Sequence, residues 1–135
     1  MKFIDNPKKS NLIIDIDQMV MNTSDMIDSL LLLAEGKNKT WISVDSKGYW
    51  YHDRNIFPDR IYVGWMLYLP HVVLPEIVPE AAKVVPVSDG EKQKGTIVIS
   101  TDEIFDGNNI EHIRKANDIE IRLLDLGLLP LMTEL

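Results

Sequence analysis

The stretch from Gly95 to Leu131, GTIVISTDEIFDGNNIEHIRKANDIEIRLLDLGLLPL, restricts the fold more than any other part of the chain. Its β-branched start, Thr96 to Ser100, predicts a strand. Ser100 or Thr101 followed by Glu103 offers a capping box for a short turn. Asp106-Gly107-Asn108-Asn109 is a turn and N-cap cluster, and the helix it opens runs to about Leu126, where Gly127 stops it. On that helix Ile110, Ile113, Ala116, Leu123 and Leu124 lie close to one face, widened by Ile119 and Ile121. The opposite face offers two acid-to-base pairs at i,i+4, Glu111 with Lys115 and Asp118 with Arg122. The Leu128-Leu129-Pro130-Leu131 tail is expected to dock on the sheet. Every local signal agrees with its neighbour, which marks a segment with one intended structure and no evident catalytic group.

Upstream signals are shorter. Asn11 to Asp15 is an aliphatic run of strand type. Met19, Val20, Ile27, Leu30, Leu31 and Ala34 recur at helical spacing and predict a helix from about 17 to 35. A cap at Thr23 or Ser24 would shorten it. Trp41 to Asp45 and Gly48 to His52 read as an aromatic hairpin joined through Ser46-Lys47-Gly48. Asn55 to Asp59 turns at Pro58, and Arg60 to Leu69, apolar on both faces, predicts a central strand. Prolines at 70, 75, 79 and 86 forbid a long helix or a central strand between them, leaving at most a single turn from Pro79 to Ala82. Val84 to Val87 and Thr96 to Ser100 then form a hairpin around the polar loop Ser88 to Gly95. The sum is α+β: a mainly antiparallel sheet with two main helices packed on one side, in a single domain spanning 1–135.

Composition removes several classes of function. With 45% hydrophobic and 26% charged residues the chain has the make-up of a soluble globular protein. It has no cysteine, so thiol catalysis and disulfides are excluded, and a zinc site would need His and carboxylate ligands alone. The opening MKFIDNPKKSN lacks the apolar core of a secretory signal, and no run approaches the ~20 apolar residues of a membrane span, so a cytoplasmic location is expected. Of the net charge of -7, residues 101–135 carry eight acids against three bases. A second acidic zone from Asn11 to Gly36 holds five acids and no base. No basic stripe suits direct nucleic-acid binding, whereas an acidic surface steers a basic partner and keeps the chain soluble.

The search for chemistry yields little. Asp15-Ile16-Asp17 after an aliphatic run has the DxD pattern of aspartate-based phosphoryl transfer with Mg2+, but no second metal motif follows and Asp17 also suits a helix start. His52, His71 and His112 have no partner at i+4, and no HExxH, nucleophile elbow or phosphate loop occurs. No cofactor or metal is expected. The aromatic segment carries more weight. Strand alternation puts Tyr49 and Tyr51 on one face and Trp50 on the other, so one set faces the core and the other a partner. Tyr49, Trp50, Tyr51 and Asp53, with Asp102, Glu103 and Asp106 at the irregular junction before the last helix, are the candidate partner-binding residues.

The order Tyr62-Val63-Gly64-Trp65, Leu74-Pro75, Pro79-Glu80-Ala81, Gly95 to Thr101, Phe105-Asp106, Ala116-Asn117 and Leu126 to Pro130 resembles the immunity protein 52 family over roughly residues 60–131. The Trp- and Arg-containing opening of that family is missing here. The resemblance implies a small bacterial cytoplasmic protein that binds and neutralises a cognate toxin domain, typically a nuclease of the restriction-endonuclease fold, without catalysis of its own. The alternative classes are a metal-dependent phosphohydrolase using Asp15 and Asp17, and a structural adaptor of a secretion assembly.

Overall fold

The computed structural model describes residues 2–6, 11–15, 22–35, 39–46, 49–50 and 52–134. Its centre is a six-stranded sheet in the order β1-β2-β3-β4-β6-β5. The strands are β1 (Lys2–Asn6), β2 (Asn11–Asp15), β3 (Trp41–Asp45), β4 (Met66–Leu69), β5 (Lys83–Asp89) and β6 (Lys92–Ile99). Among the described strands, β2 and β3 are the pair that runs parallel, and the other pairs are antiparallel. Parallel neighbours need a crossover, and helix α1 (Thr23–Ala34) supplies it. The α+β class expected from the sequence is the one observed.

Helix α1 begins where Asn22, in extended conformation, accepts a hydrogen bond from the Asp25 N–H at 2.8 Å. It is thus the shorter of the two helices the sequence allowed, and residues 17–21 of the longer version lie outside the described residues. Met26, Leu30 and Ala34, four residues apart, are fully buried, and burial of side chains such as Met26 and Leu30 stabilises by about 2 kcal/mol each. Lys94 donates from β6 to the Ala34 carbonyl at the helix C-terminus, 2.5 Å away, where a cation suits the dipole.

Strand pleating sorts the core into two layers. Ile42, Val44, Met66, Tyr68, Ile97 and Ile99 face α1. Trp41, Leu67, Leu69 and Val98 face the other way. Helix α2 (Ile110–Asp125) is shared between the layers: Ala116 joins the first, while Ile119 and Leu123 join the second with Ile61, Val63 and Leu129. One-sided packing of both helices is therefore only part of the arrangement. Leu129 is buried, and the tail bridges Arg60 to Leu131, so its docking is as expected.

Several local expectations need correcting. Of the strand expected from Gly48 to His52, Gly48 and Tyr51 lie outside the described residues, and Tyr49, Trp50 and His52 are in turn conformation; β3 pairs with β2 and β4 instead. The buried Asp45 carboxylate causes that turn by accepting from the Ser46 N–H at 2.7 Å and the Trp50 N–H at 3.1 Å. Of Arg60 to Leu69, only Met66–Leu69 is strand, although all of Ile61 to Leu69 is buried. The proline-rich stretch holds the 3-10 turn Pro75–Ile77, which was not expected, and then the turn at Pro79-Glu80, which is non-helical and closes with the Ala81 N–H bonding the Val78 carbonyl at 3.2 Å. The loop Ser88 to Gly95 is mostly sheet, because β5 and β6 continue to a two-residue turn at Gly90-Glu91. No capping box forms with Glu103. The Thr101 hydroxyl donates to the Glu103 carbonyl, and that of Ser100 bonds the carbonyls of Gly64 and Trp65.

Helix α2 opens as expected, with Asn109 Oδ1 accepting from the N–H groups of Glu111 and His112. It closes with Gly127 N–H bonding the Leu124 carbonyl and Leu128 N–H bonding that of Leu123, at 3.0 and 2.8 Å. Gly127 has φ +73° there, and a Cβ would meet nothing within 4 Å. Gly127→Ala is accordingly expected to cost about 1 kcal/mol by backbone strain alone. A urea titration showing no loss would mean that the cap adjusts freely.

Candidate functional site

The two groups of candidate residues meet in the fold. Loop 49–56 and loop 101–109 are far apart in sequence, yet Tyr49 lies edge-on against Phe105 at 5.5 Å. Arg54 donates to the Gly107 carbonyl and, at 2.6 Å, to Asn108 Oδ1. The Thr23 hydroxyl ties the second loop to α1 by donating to the Asp102 carbonyl. Sequence periodicity gave no sign of this meeting.

Loop 49–56 is held in a closed turn. The Asp53 N–H bonds the Trp50 carbonyl at 3.0 Å, and the Arg54 N–H bonds the Tyr49 carbonyl at 2.9 Å. Asp53 stands between them at φ +56°, a conformation that Asp tolerates better than most residues. This is the helix-terminating pattern seen again after α2, used here on a single turn. It turns Tyr49 inward and Trp50 outward. Tyr49 is fully buried and so is a support rather than a contact residue. Trp50 is 36% exposed, with its indole stacked on Tyr62 at 6.0 Å and 10°. Tyr51 lies outside the described residues. Asp53, Asp102 and Glu103 are exposed, and Asp106 is half-buried. Ile56 and Ile104, 42% and 40% exposed, add apolar surface to the same two loops.

Beneath this surface is a buried carboxylate that the sequence reading missed. Glu120 of α2 accepts from Tyr49 Oη at 2.8 Å, the Val63 N–H at 2.9 Å and the Ile56 N–H at 3.1 Å. Asn117 Nδ2 donates to Tyr49 Oη at 2.7 Å and to the Arg54 carbonyl at 3.0 Å. Burial pushes the Glu120 carboxyl up to about 7, against the lowering effect of the donors it faces. Burial, then the nearby Glu120 charge, raises the Tyr49 phenol far above its ordinary range. Gly64 lets the chain reach this position: with φ +55°, its Cα approaches β3 so closely that a Cβ would lie 2.6 Å from the Val44 carbonyl oxygen. A usable signal was present, since Glu120 follows Ile113 by seven residues and thus falls on the apolar stripe. Ile121, assigned to that stripe, is 46% exposed, and Ile110 is 67% exposed.

The charge pairing on α2 also differs from the expected i,i+4 pattern. Glu111 meets Arg114 at 3.3 Å. Arg122 leaves Asp118 and reaches Glu80 with a 2.8 Å contact. Hydrogen bonds from Arg122 hold the Glu80 carboxyl below its ordinary range, so it stays charged at neutral pH.

The described residues contain no group of three His, Asp or Glu side chains placed to hold a metal ion. The side chain of Asp15 and the whole of Asp17 lie outside what is described. His112 Nδ1 accepts from the Asp106 N–H at 2.9 Å, a structural use of that histidine. No helix among the described residues is long and apolar enough to cross a membrane.

What the geometry offers is a rigidly supported surface with an aromatic and aliphatic centre and carboxylates around it. That is the make-up of a protein-binding face. No curated protein matches the chain. The family model described as Immunity protein 52 matches residues 13–132. That match extends the likeness well beyond the C-terminal half, and the chain belongs to the immunity protein 52 family, whose membership carries a toxin-neutralising immunity role.

Proposed function

We propose that this protein acts in the bacterial cytoplasm as a stoichiometric, non-catalytic inhibitor of one cognate toxin, a nuclease of the restriction-endonuclease fold. The observation that carries the reading is the family match over residues 13–132. The charge supports a nuclease as that toxin, because a nuclease presents a basic surface to phosphates and this chain has a net charge of -7. Carboxylates placed against that surface compete with nucleic acid for the same cations, so the inhibitor itself needs no contact with nucleic acid.

The binding face in this reading is the paired loop surface. Trp50 is the anchor, Ile56 and Ile104 widen it, and Asp53, Asp102, Glu103 and Asp106 supply the charge. Tyr49 and Glu120 hold the face in shape from below. Tyr51 belongs to the same proposal by its position in the loop.

Coexpression with the toxin encoded by the adjacent gene tests this directly. Growth is expected to be restored, and the two proteins are expected to co-elute at one-to-one ratio. A chain that neither rescues growth nor co-elutes with that toxin does not have this function.

A further inference from the structure

A second surface, distant in sequence from Trp50, has the same make-up. After β4 the chain passes outside regular structure through Val72, Val73 and Leu74, of which Leu74 is extended. The Val73 side chain is buried, and its N–H bonds Thr96 Oγ1 at 3.0 Å. The Thr96 hydroxyl in turn donates to the His71 carbonyl at 2.7 Å. With Val73 fixed inward, its neighbours must point outward, and Val72 and Leu74 are 57% and 55% exposed. The 3-10 turn Pro75–Ile77 then presents Ile77, 40% exposed, before Val78 returns to the core. Three large aliphatic side chains thus reach solvent from a backbone pinned on both sides. Three exposed aliphatic side chains within six residues, on a backbone held from below, suit a docking surface.

This loop adjoins an acidic cleft. Glu80, three residues after Ile77, closes onto α2 through its ion pair with Arg122. The open cleft between them, of about 320 Å³, is lined by Glu80, Asp118, Ile121, Arg122 and Asp125. Three carboxylates against one guanidinium leave it net negative, and Arg122 is already engaged by Glu80. Ile121 gives it an apolar wall. A cation on a long aliphatic stem, lysine or arginine, matches both features of such a cleft.

We propose that Val72, Leu74 and Ile77, with the cleft beside them, form a second docking surface for the toxin. It takes an amphipathic segment that presents aliphatic side chains between lysines or arginines. The proposal rests on the reading of the chain as a toxin-binding immunity protein. The pinned backbone means that little conformational freedom is lost on binding, which favours slow dissociation. The cleft contributes mainly to the rate of encounter.

The test measures binding of the adjacent-gene toxin domain, with its own catalytic residues replaced, to the full-length protein and two exposed double variants. Val72→Ser with Leu74→Ser is expected to weaken binding about 30-fold, chiefly through faster dissociation. Asp118→Lys with Asp125→Lys is expected to slow association about tenfold at low salt, with the difference fading at high salt. Unchanged affinity in both variants, with wild type binding, overturns this surface and leaves the function standing. A wild-type protein that does not bind the toxin overturns both. A serine variant that instead turns a dimer into a monomer assigns the surface to self-association and overturns the proposal.

Discussion

Glu120→Ala is expected to cost about 3–4 kcal/mol of stability at pH 5 and little at pH 8. The loss at low pH comes from three donors left facing an empty site: Tyr49 Oη and the N–H groups of Ile56 and Val63. A buried donor without a partner costs about 1–3 kcal/mol, and water entering the space recovers part of that. The pH dependence comes from the carboxyl itself. Its folded value of about 7 lies above the ordinary carboxyl value of 4.5 expected of the unfolded chain. Between those two values the folded protein holds a proton that the unfolded chain has released. Stability from this group is therefore fully present below pH 4.5, falls as pH rises to about 7, and is constant above that. The fall amounts to about 3 kcal/mol at 1.36 kcal/mol per pH unit.

Urea unfolding of wild type and variant at both pH values measures the effect. A midpoint difference of roughly 1–2 M is expected at pH 5. Glu120→Gln, which cannot ionise, separates the proton from the packing. Its deficit relative to wild type is expected to shrink from pH 5 to pH 8, since only wild type loses stability over that range. A deficit that grows with pH would reverse the sign and show that the carboxylate, not the neutral acid, is the stable form. The turn that positions Trp50 is held through Tyr49, so Glu120 variants are also expected to weaken toxin binding without touching the toxin.

The contrast between Glu120 and its surroundings shows what the sequence made legible. Strand β6, the Asn109 cap, α2 and the Gly127 stop were readable because each depends on residues within one turn of itself. The acids before α2 were readable as surface for the same reason. Loop 49–56 was not. Its aromatic, β-prone residues fit a hairpin, and the determinant against one is the Asp45 carboxylate turning the chain. Rings from Tyr62 and Phe105, distant in sequence, then complete the packing around Tyr49. Glu120 was missed because a charged residue on an apolar stripe reads as an interruption, while its partners are a tyrosine hydroxyl far away in sequence and two backbone N–H groups that no side-chain pattern reveals. The same reason explains Arg122, which passes over Asp118 for Glu80 on an adjoining loop. Non-local hydrogen bonds set the shape of the candidate face, and local patterns supplied only its composition.

Trp50→Ala is expected to weaken toxin binding at least 30-fold, about 2 kcal/mol or more. The argument starts from how the indole is held. Stacking on the buried Tyr62 ring at 6.0 Å fixes one face of it, and the hydrogen bond from the Trp50 backbone N–H to the Asp45 carboxylate fixes the main chain. A large side chain already confined in the free protein loses little entropy on binding, so most of its contact area is converted into affinity. The loss is expected in the dissociation rate. Asp53→Asn, Asp102→Asn and Glu103→Gln are exposed changes that remove charge with little change of shape. They are expected to slow association by a few-fold each at low salt and to have little effect at high salt. Loss of the stacked pair is expected to reduce stability by only about 1 kcal/mol, which a urea titration separates from the binding defect. Measured against the adjacent-gene toxin, an unchanged affinity for Trp50→Ala would place the interface away from the paired loops. Tight binding in wild type that survives there but fails in the Val72 and Leu74 variants would move it to the loop before β5. One set of variants thus reads the two surfaces separately, and a toxin that spans both is expected to respond to each with its own rate signature: dissociation for the apolar residues, association for the acids.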